Sequence, residues 1–293
     1  MPVMTDARIL PSSLHSYLAS QNETLTGEIM QLQGGAISTT LRLEVDSGRH
    51  YVAKCLNDVP NDIYEKETAG LRALELSQCP RVPEVYAVGR DYLLLEDLGS
   101  GERSATYWEE FGHQVALLHS HTQPLFGYNH DNYLGRAIQQ NPRLADGHAF
   151  FAQARVLRFL TLWQCTTVLT TEDRRRLGSF CARLPDLVPD QPAALCHGDL
   201  WHGNIAITDA GAPAYLDPAV HYGWPEADLG MTTQYEHFDD RFYDAYDEAG
   251  TLEPGWRDRL EIYHIKEILS MVAHFGEKYD SLIKLRAFLD RYA

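Results

Sequence analysis

The segment Cys196-His197-Gly198-Asp199-Leu200-Trp201-His202-Gly203-Asn204, followed by Tyr215-Leu216-Asp217, constrains this chain more than any other stretch. It sets an acid, an amide five residues later, and a second acid 13 residues beyond the amide. Short apolar runs at 194–196, 205–207 and 214–216 bracket it, so the polar groups lie between strands in a half that otherwise reads as helix. Taken singly, each part is ordinary: His-Gly-Asp makes turns, Asn after Gly caps loops, and Asp before Pro ends strands. Their order fits a definite chemistry. An alcohol is a weak nucleophile that needs a carboxylate aimed at its proton, and a divalent ion bridging phosphates needs hard oxygen ligands. Asp199 suits the first task, and Asn204 with Asp217 the second. His202 and Asp217 would also serve as metal ligands of a hydrolase, but no further His or Cys at metal-ligand spacing supports that reading.

The rest of the chain places these residues. Leu14, Tyr17 and Leu18 follow Pro11-Ser12-Ser13 at helical spacing and predict a short leading helix with a serine cap. Residues 25–32, 37–45 and 50–56 read as strands of an antiparallel meander, separated by Gly34-Gly35 and Asp46-Ser47-Gly48. A helix over 63–76 and strands over 84–88 and 92–96 lead to Asp97-Leu98-Gly99-Ser100-Gly101, whose punctuation marks a hinge. Beyond it, Trp108, Phe111, Val115, Leu118 and His119 share a helix stripe, and helices are expected over 147–169 and 171–184 and again from Asp228 onward. The fold class is therefore α+β, in a bilobal, protein-kinase-like arrangement. A small antiparallel-sheet lobe over 1–98 would bind ATP, and a larger, mainly helical lobe over 99–293 would carry catalysis and the acceptor.

Lys54 gains its meaning from this order. Strand alternation puts Val52 and Lys54 on one face, where Lys54 can neutralise nucleotide phosphates and Glu67 of the following helix can hold its ammonium. Gly34-Gly35, between two strands, can bring backbone amides near phosphate oxygens, although two such glycines more commonly make a hairpin. The spacing from Asp199 to Asn204 equals that of the kinase catalytic loop.

Composition excludes several classes. With 41 acidic and 25 basic residues the formal charge is -16, a field that repels nucleic acid and anionic lipid. No stretch approaches ~18 apolar residues and no leader pattern precedes the first strand, which predicts neither membrane insertion nor export, and a cytoplasmic location. Cys55, Cys79, Cys165, Cys181 and Cys196 form no C-x-x-C pair, so free thiols are expected. No heptad or apolar patch sets an oligomeric state.

The chain resembles the fructosamine kinases, or ketosamine-3-kinases, of the aminoglycoside and choline kinase-like superfamily. The resemblance rests on Gly34-Gly35-Ala36-Ile37-Ser38, Val52-Ala53-Lys54, Glu67-Thr68-Ala69-Gly70-Leu71, Asp131-Asn132-Tyr133-Leu134-Gly135, the segment 197–204, Asp217-Pro218-Ala219 and the run 222–229. The Trp after Asp-Leu, Asp-Pro-Ala in place of Asp-Phe-Gly, and Asn-Tyr-x-Gly-x-x-x-Gln-x-Asn are its narrower marks. It implies transfer of the ATP γ-phosphoryl group, with Mg²⁺, to the 3-hydroxyl of a ketosamine or glycated amine. Asp199 would be the base, Lys54 and Glu67 the phosphate clamp, Asn204 and Asp217 the metal ligands, and the backbone near Glu96, Asp97 and Leu98 the adenine site. Trp201 would stack on the acceptor, with Glu226 and Asp228 behind the site or capping a helix. Departures from the family pattern are His202 in place of a small Ser and Gly147 in place of an aromatic, both expected at the acceptor pocket, and Ala36 where some members carry a Cys that links dimers. The rivals are a superfamily kinase of another amino alcohol, thiosugar or aminoglycoside, and an inactive nucleotide-binding module. The second would have lost the base, the metal ligands or the lysine, and all are present.

Overall fold

The computed structural model describes residues 3–5, 9–27, 29–32, 39–55, 60–249 and 252–293. Its first half is a twisted antiparallel sheet made of β1 (Val3–Thr5), β2 (Ile29–Gln31), β3 (Thr39–Glu44), β4 (His50–Cys55), β5 (Val85–Val88) and β6 (Tyr92–Glu96). The spatial order is β1-β2-β3-β4-β6-β5, so the lysine strand β4 is interior. β1 is an edge strand that the sequence reading did not anticipate.

Alternation along β4 sorts its side chains between two helices. Tyr51, Ala53 and Cys55 pack with Leu14 and Leu18 of α1 (Ser12–Ser20), while Val52 turns to the face covered by Ile63, Tyr64 and Leu71 of α2 (Ile63–Leu74). Lys54 shares the Val52 face and is thereby aimed at α2. The expected serine cap of α1 is absent: Pro11 occupies the cap position and Ser12 is already helical.

The connection that follows is fastened rather than free. Leu98 accepts a hydrogen bond from the Asp209 amide (3.1 Å), Ser100 donates its amide to Asp209 Oδ1 (3.1 Å), and Ser104 donates its amide to Gly211 (3.1 Å). Gly99 has φ +84°, and a Cβ there would lie 1.8 Å from Asp209 Oδ1, so glycine serves close approach here.

The second half begins with α3 (Tyr107–His119), which packs along α8 (Asp240–Asp247) through Trp108, Phe111 and Phe242. Between them run β7 (Thr122–Gln123), the hairpin β8 (Asn132–Leu134) and β9 (Ala137–Gln139), α4 (Gly147–Phe150), α5 (Trp163–Val168) and α6 (Thr171–Leu187). They are followed by β10 (Ala193–Cys196), the hairpin β11 (Ile205–Ile207) and β12 (Pro213–Tyr215), β13 (His221–Gly223) and α7 (Pro225–Met231). After α8 come α9 (Trp256–Arg259), α10 (His264–Phe275) and α11 (Ser281–Tyr292). The five cysteines are free thiols. Among the described residues no helix is long and apolar enough to cross a membrane.

The expected helix over 147–169 is broken. α4 passes into a π-helical turn (Phe151–Val156) and a 3₁₀ segment (Leu157–Thr161), and an extended Leu162 precedes α5. Two buried arginines account for the break. Arg155 reaches the Gln140 carbonyl (2.8 Å) and Asn141 Oδ1 (2.6 Å), and Arg158 reaches the Ile138 carbonyl. Arg174 donates to the Leu160 carbonyl of the 3₁₀ segment (3.0 Å) and to the Cys165 carbonyl of α5 (2.9 Å), tying the break to α6.

Candidate active site

Strand β10 delivers the chain into the segment 197–204, and the hairpin β11–β12 returns it to Asp217. The two arms are tied: Leu216 donates its amide to the Asn204 carbonyl (2.8 Å), and Ala219 donates to the His197 carbonyl (2.9 Å). His197 is the buried centre of the turn. Burial pushes its imidazole down to about 4, so the ring is neutral, with Nε2 donating to the Leu216 carbonyl (2.9 Å) and Nδ1 accepting the Asp199 amide (3.2 Å). One uncharged ring thus fixes the approach to both acids.

Gly198 turns at φ +85°, and a Cβ there would lie 2.1 Å from the Ala219 carbonyl oxygen. Gly198→Ala should therefore cost roughly 1–3 kcal/mol of stability in urea denaturation and misplace Asp199.

The turn is clamped from behind by Asp228 of α7, whose carboxylate accepts the amides of His197 (2.7 Å) and Gly198 (2.8 Å) and faces His119 Nε2 (3.3 Å). Burial would raise this carboxyl, but the His119 hydrogen bond and the surrounding donors hold it at about 2. Lys266 of α10 is buried and donates to the Gly198 carbonyl.

Asp199 points into a cavity of about 490 Å³ between the two lobes. Burial raises its carboxyl to about 6 against the opposing pull of Lys266. Asn204 Nδ2 donates to Asp199 Oδ2 (2.6 Å) and to its carbonyl (2.9 Å). Across the cavity, Lys54 meets Glu67 Oε1 (2.5 Å) and Asp217 Oδ1. Burial alone would lower the Lys54 ammonium, but the carboxylates of Asp217 and Glu67 outweigh it and raise the group above its ordinary value. Asp217 itself sits at φ +51°, a left-handed position that sends its side chain back toward Lys54.

The structure brings Lys54, Glu67, Asp199, Trp201, Asn204 and Asp217 to the same cavity. It does not bring all the predicted residues there. His202 is turned away from it, packed edge-on against Phe238 (centroids 4.7 Å) and Trp108 (5.8 Å), because the 3₁₀ turn His202–Asn204 fans its side chains about 120° apart and so sends His202 and Asn204 to different sides. Gly147 lies elsewhere too, with Phe126 and Trp224 filling the space of its missing side chain. Val52 is half-buried against α2, Glu96 pairs with Arg81, and Asp97 pairs with Arg42. The Leu98 carbonyl is already taken by Asp209, and Gly34 and Gly35 fall outside the described residues. Glu226 is buried against Arg259 (2.9 Å) and Tyr263 (2.8 Å), holding α7 to α9.

Residues the sequence reading missed come from α10 and from the turn after α7: Glu267, Met271, His274 and Tyr235 all line the cavity. Their spacing along α10 (267, 271, 274) is an ordinary helix face, which is why it gave no separate signal.

The sequence model of the fructosamine kinase family matches residues 12–291. A probable ketoamine kinase of Enterococcus faecium is 34% identical over 265 residues, covering 88% of this chain and 94% of its own. The chloroplastic protein-ribulosamine 3-kinase of Arabidopsis thaliana is 29% identical over 273 residues, covering 90% and 82%. The crystal structure of a Thermobifida fusca protein proposed to be a fructosamine-3-kinase superposes with a TM-score of 0.82 at 28% identity, over 95% of this chain and 99% of that one. An aminoglycoside phosphotransferase in ternary complex with AMP-PNP and hygromycin B superposes at 0.64 and 15% identity, over 96% and 97%, a likeness of fold alone.

Proposed function

Because this chain belongs to the fructosamine kinase family, we propose that it transfers the γ-phosphoryl group of ATP to the 3-hydroxyl of a ketosamine, with Asp199 as the base. The observation that carries this reading is the meeting of Lys54, Asp199, Asn204 and Asp217 on one cavity between the lobes. Asn204 occupies Asp199 Oδ2, which leaves Oδ1 to take the proton of the acceptor hydroxyl as its oxygen bonds to phosphorus and ADP leaves. Lys54, steadied by Glu67, faces the α- and β-phosphates. Of the residues proposed for adenine, Leu98 would offer its amide, its carbonyl being held by Asp209.

Mg²⁺ fits the donors present. Asn204 uses Nδ2 on Asp199, so its Oδ1 is the end left for a ligand, and Asp217 adds a carboxylate that is one-third exposed to the cavity (33%). These are hard oxygen donors. When bound, the ion offsets the charge on the β- and γ-phosphoryl oxygens.

The test is ADP release from Mg²⁺-ATP with ribulosamines, fructosamines and erythrulosamines beside choline, homoserine and an aminoglycoside. Turnover with ketosamines is expected. Lys54→Met should lower kcat/KM for ATP on the order of 10²–10³-fold, since a cation aimed at developing charge is lost. Turnover confined to a non-ketosamine acceptor would remove the substrate assignment and leave the catalytic groups standing.

A further inference from the structure

Glu267 is the carboxyl group lining the cavity that the phosphoryl-transfer machinery does not use. It lies on α10, 8% exposed, and lines the same cavity as Asp199. Its Oε1 accepts the Tyr235 hydroxyl (2.6 Å), and among the described residues it has no cationic partner. The adjacent Lys266 hydrogen-bonds the Gly198 carbonyl and acts on Glu267 only through its charge, too weakly to offset the effect of burial. Burial, followed by the nearby Asp199 carboxylate, raises the Glu267 carboxyl to about 7 against the opposing pull of the Tyr235 hydrogen bond and the Lys266 charge. Glu267 therefore faces the same space as Asp199, with aromatic rings beside it. Trp201, two residues after the base, stands 5.1 Å from Tyr235 (ring centroids), and Phe275 and Tyr279 continue the wall. A buried carboxylate that hydrogen-bonds only a tyrosine hydroxyl among the described residues, edged by aromatic faces, is suited to a cation.

Resting on the ketosamine reading above, we propose that Glu267, with Tyr235 and Trp201, forms the subsite for the protonated secondary amine of the acceptor. A ketosamine carries its amine on C1 and the reacting hydroxyl on C3. With that hydroxyl at Asp199, the ammonium meets the wall that holds Glu267, and the amine substituent leaves past Tyr235 and Tyr279, which are 49% and 64% exposed. The subsite separates ketosamines from uncharged ketoses of the same shape and orients the acceptor through its charge. Tyr235 holds the carboxylate in place, so a purely structural Glu267 would be replaceable by glutamine, which offers the same acceptor oxygen to the tyrosine.

The experiment compares an N-alkyl ribulosamine with the matching 1-O-alkyl ether, in which oxygen replaces the amine, in the wild-type enzyme and in Glu267→Gln. The wild type should prefer the amine. In Glu267→Gln, kcat/KM for the amine should fall roughly 10- to 100-fold, mainly through KM, with the ether and the KM for ATP unchanged. Glu267→Asp, which retains the charge, should restore part of the preference. Tyr235→Phe, at the exposed rim, should lower the same ratio several-fold without touching the core. An amine-to-ether ratio that is the same in the wild type and in Glu267→Gln would overturn the subsite while leaving the kinase reading intact. A wild-type enzyme that phosphorylates no ketosamine would overturn that reading and the subsite with it.

Discussion

Asp199→Asn should lower kcat by roughly 10²–10⁴-fold with little change in KM for ATP, because the amide cannot accept the acceptor proton. The same substitution should leave the melting temperature unchanged or higher in the presence of a chelator. The wild-type carboxylate is buried, and burial raises it to about 6, so its ionised form sits in a place that disfavours charge. A neutral amide of the same shape escapes that cost and still offers an oxygen to Asn204. Loss of activity accompanied by loss of stability would instead make Asp199 a structural residue.

Asp228→Asn should be the most disruptive of the single changes, at about 3–5 kcal/mol of stability in urea denaturation. The carboxylate accepts two backbone amides and faces His119, whereas an amide side chain must leave at least one of these buried donors unmet. Activity should fall with it, since the amides concerned shape the turn that carries Asp199. Acid should attack the same turn. The folded-state value of His197, about 4, is depressed below its ordinary 6.5. Its contribution is therefore fully present above pH 6.5 and is lost as pH falls toward 4, a decline of about 3 kcal/mol. Asp228, depressed to about 2 from 3.8, adds its own loss only below pH 3.8. The raised carboxyls of Asp199 and Glu267 act in the opposite sense over the same range, so the His197 share is read as a difference: from pH 7 to pH 4 the denaturation midpoint of the wild type should fall relative to that of His197→Asn.

What the sequence made legible is what local spacing determines. Asp199 and Asn204 lie within one short loop, so five residues of separation are enough to set their bond, and alternation along β4 is enough to aim Lys54 at α2. Groups brought together only by tertiary packing were not legible in that way. Asp228 stands in a recognised run and reads as lying behind the site or capping a helix; the sequence does not choose between them, because nothing in it says that α7 begins against the residues after β10. Glu267 and Tyr235 meet across 32 residues and belong to elements whose own patterns are those of ordinary surface-to-core helix and turn. The break within 147–169 was hidden for a related reason: apolar periodicity survives π and 3₁₀ turns, and only the two arginines amid Phe150, Phe151 and Phe159 hinted that carbonyl partners must be found nearby. His202 shows the converse limit, since proximity to the base in sequence did not bring it to the cavity.

The fastening of residues 98–104 onto 208–211 alters how this protein divides into parts. The glycine-rich stretch that looks like a spacer is moulded to Asp209, and Tyr215 in turn donates its amide to the Arg81 carbonyl (2.7 Å) just ahead of β5. The hairpin β11–β12 belongs by chain order to the helical lobe and by attachment to the sheet lobe as well. A chimaera joining the sheet lobe of one relative to the helical lobe of another would have to carry this hairpin with the connection, as a single cassette, to keep the seam intact.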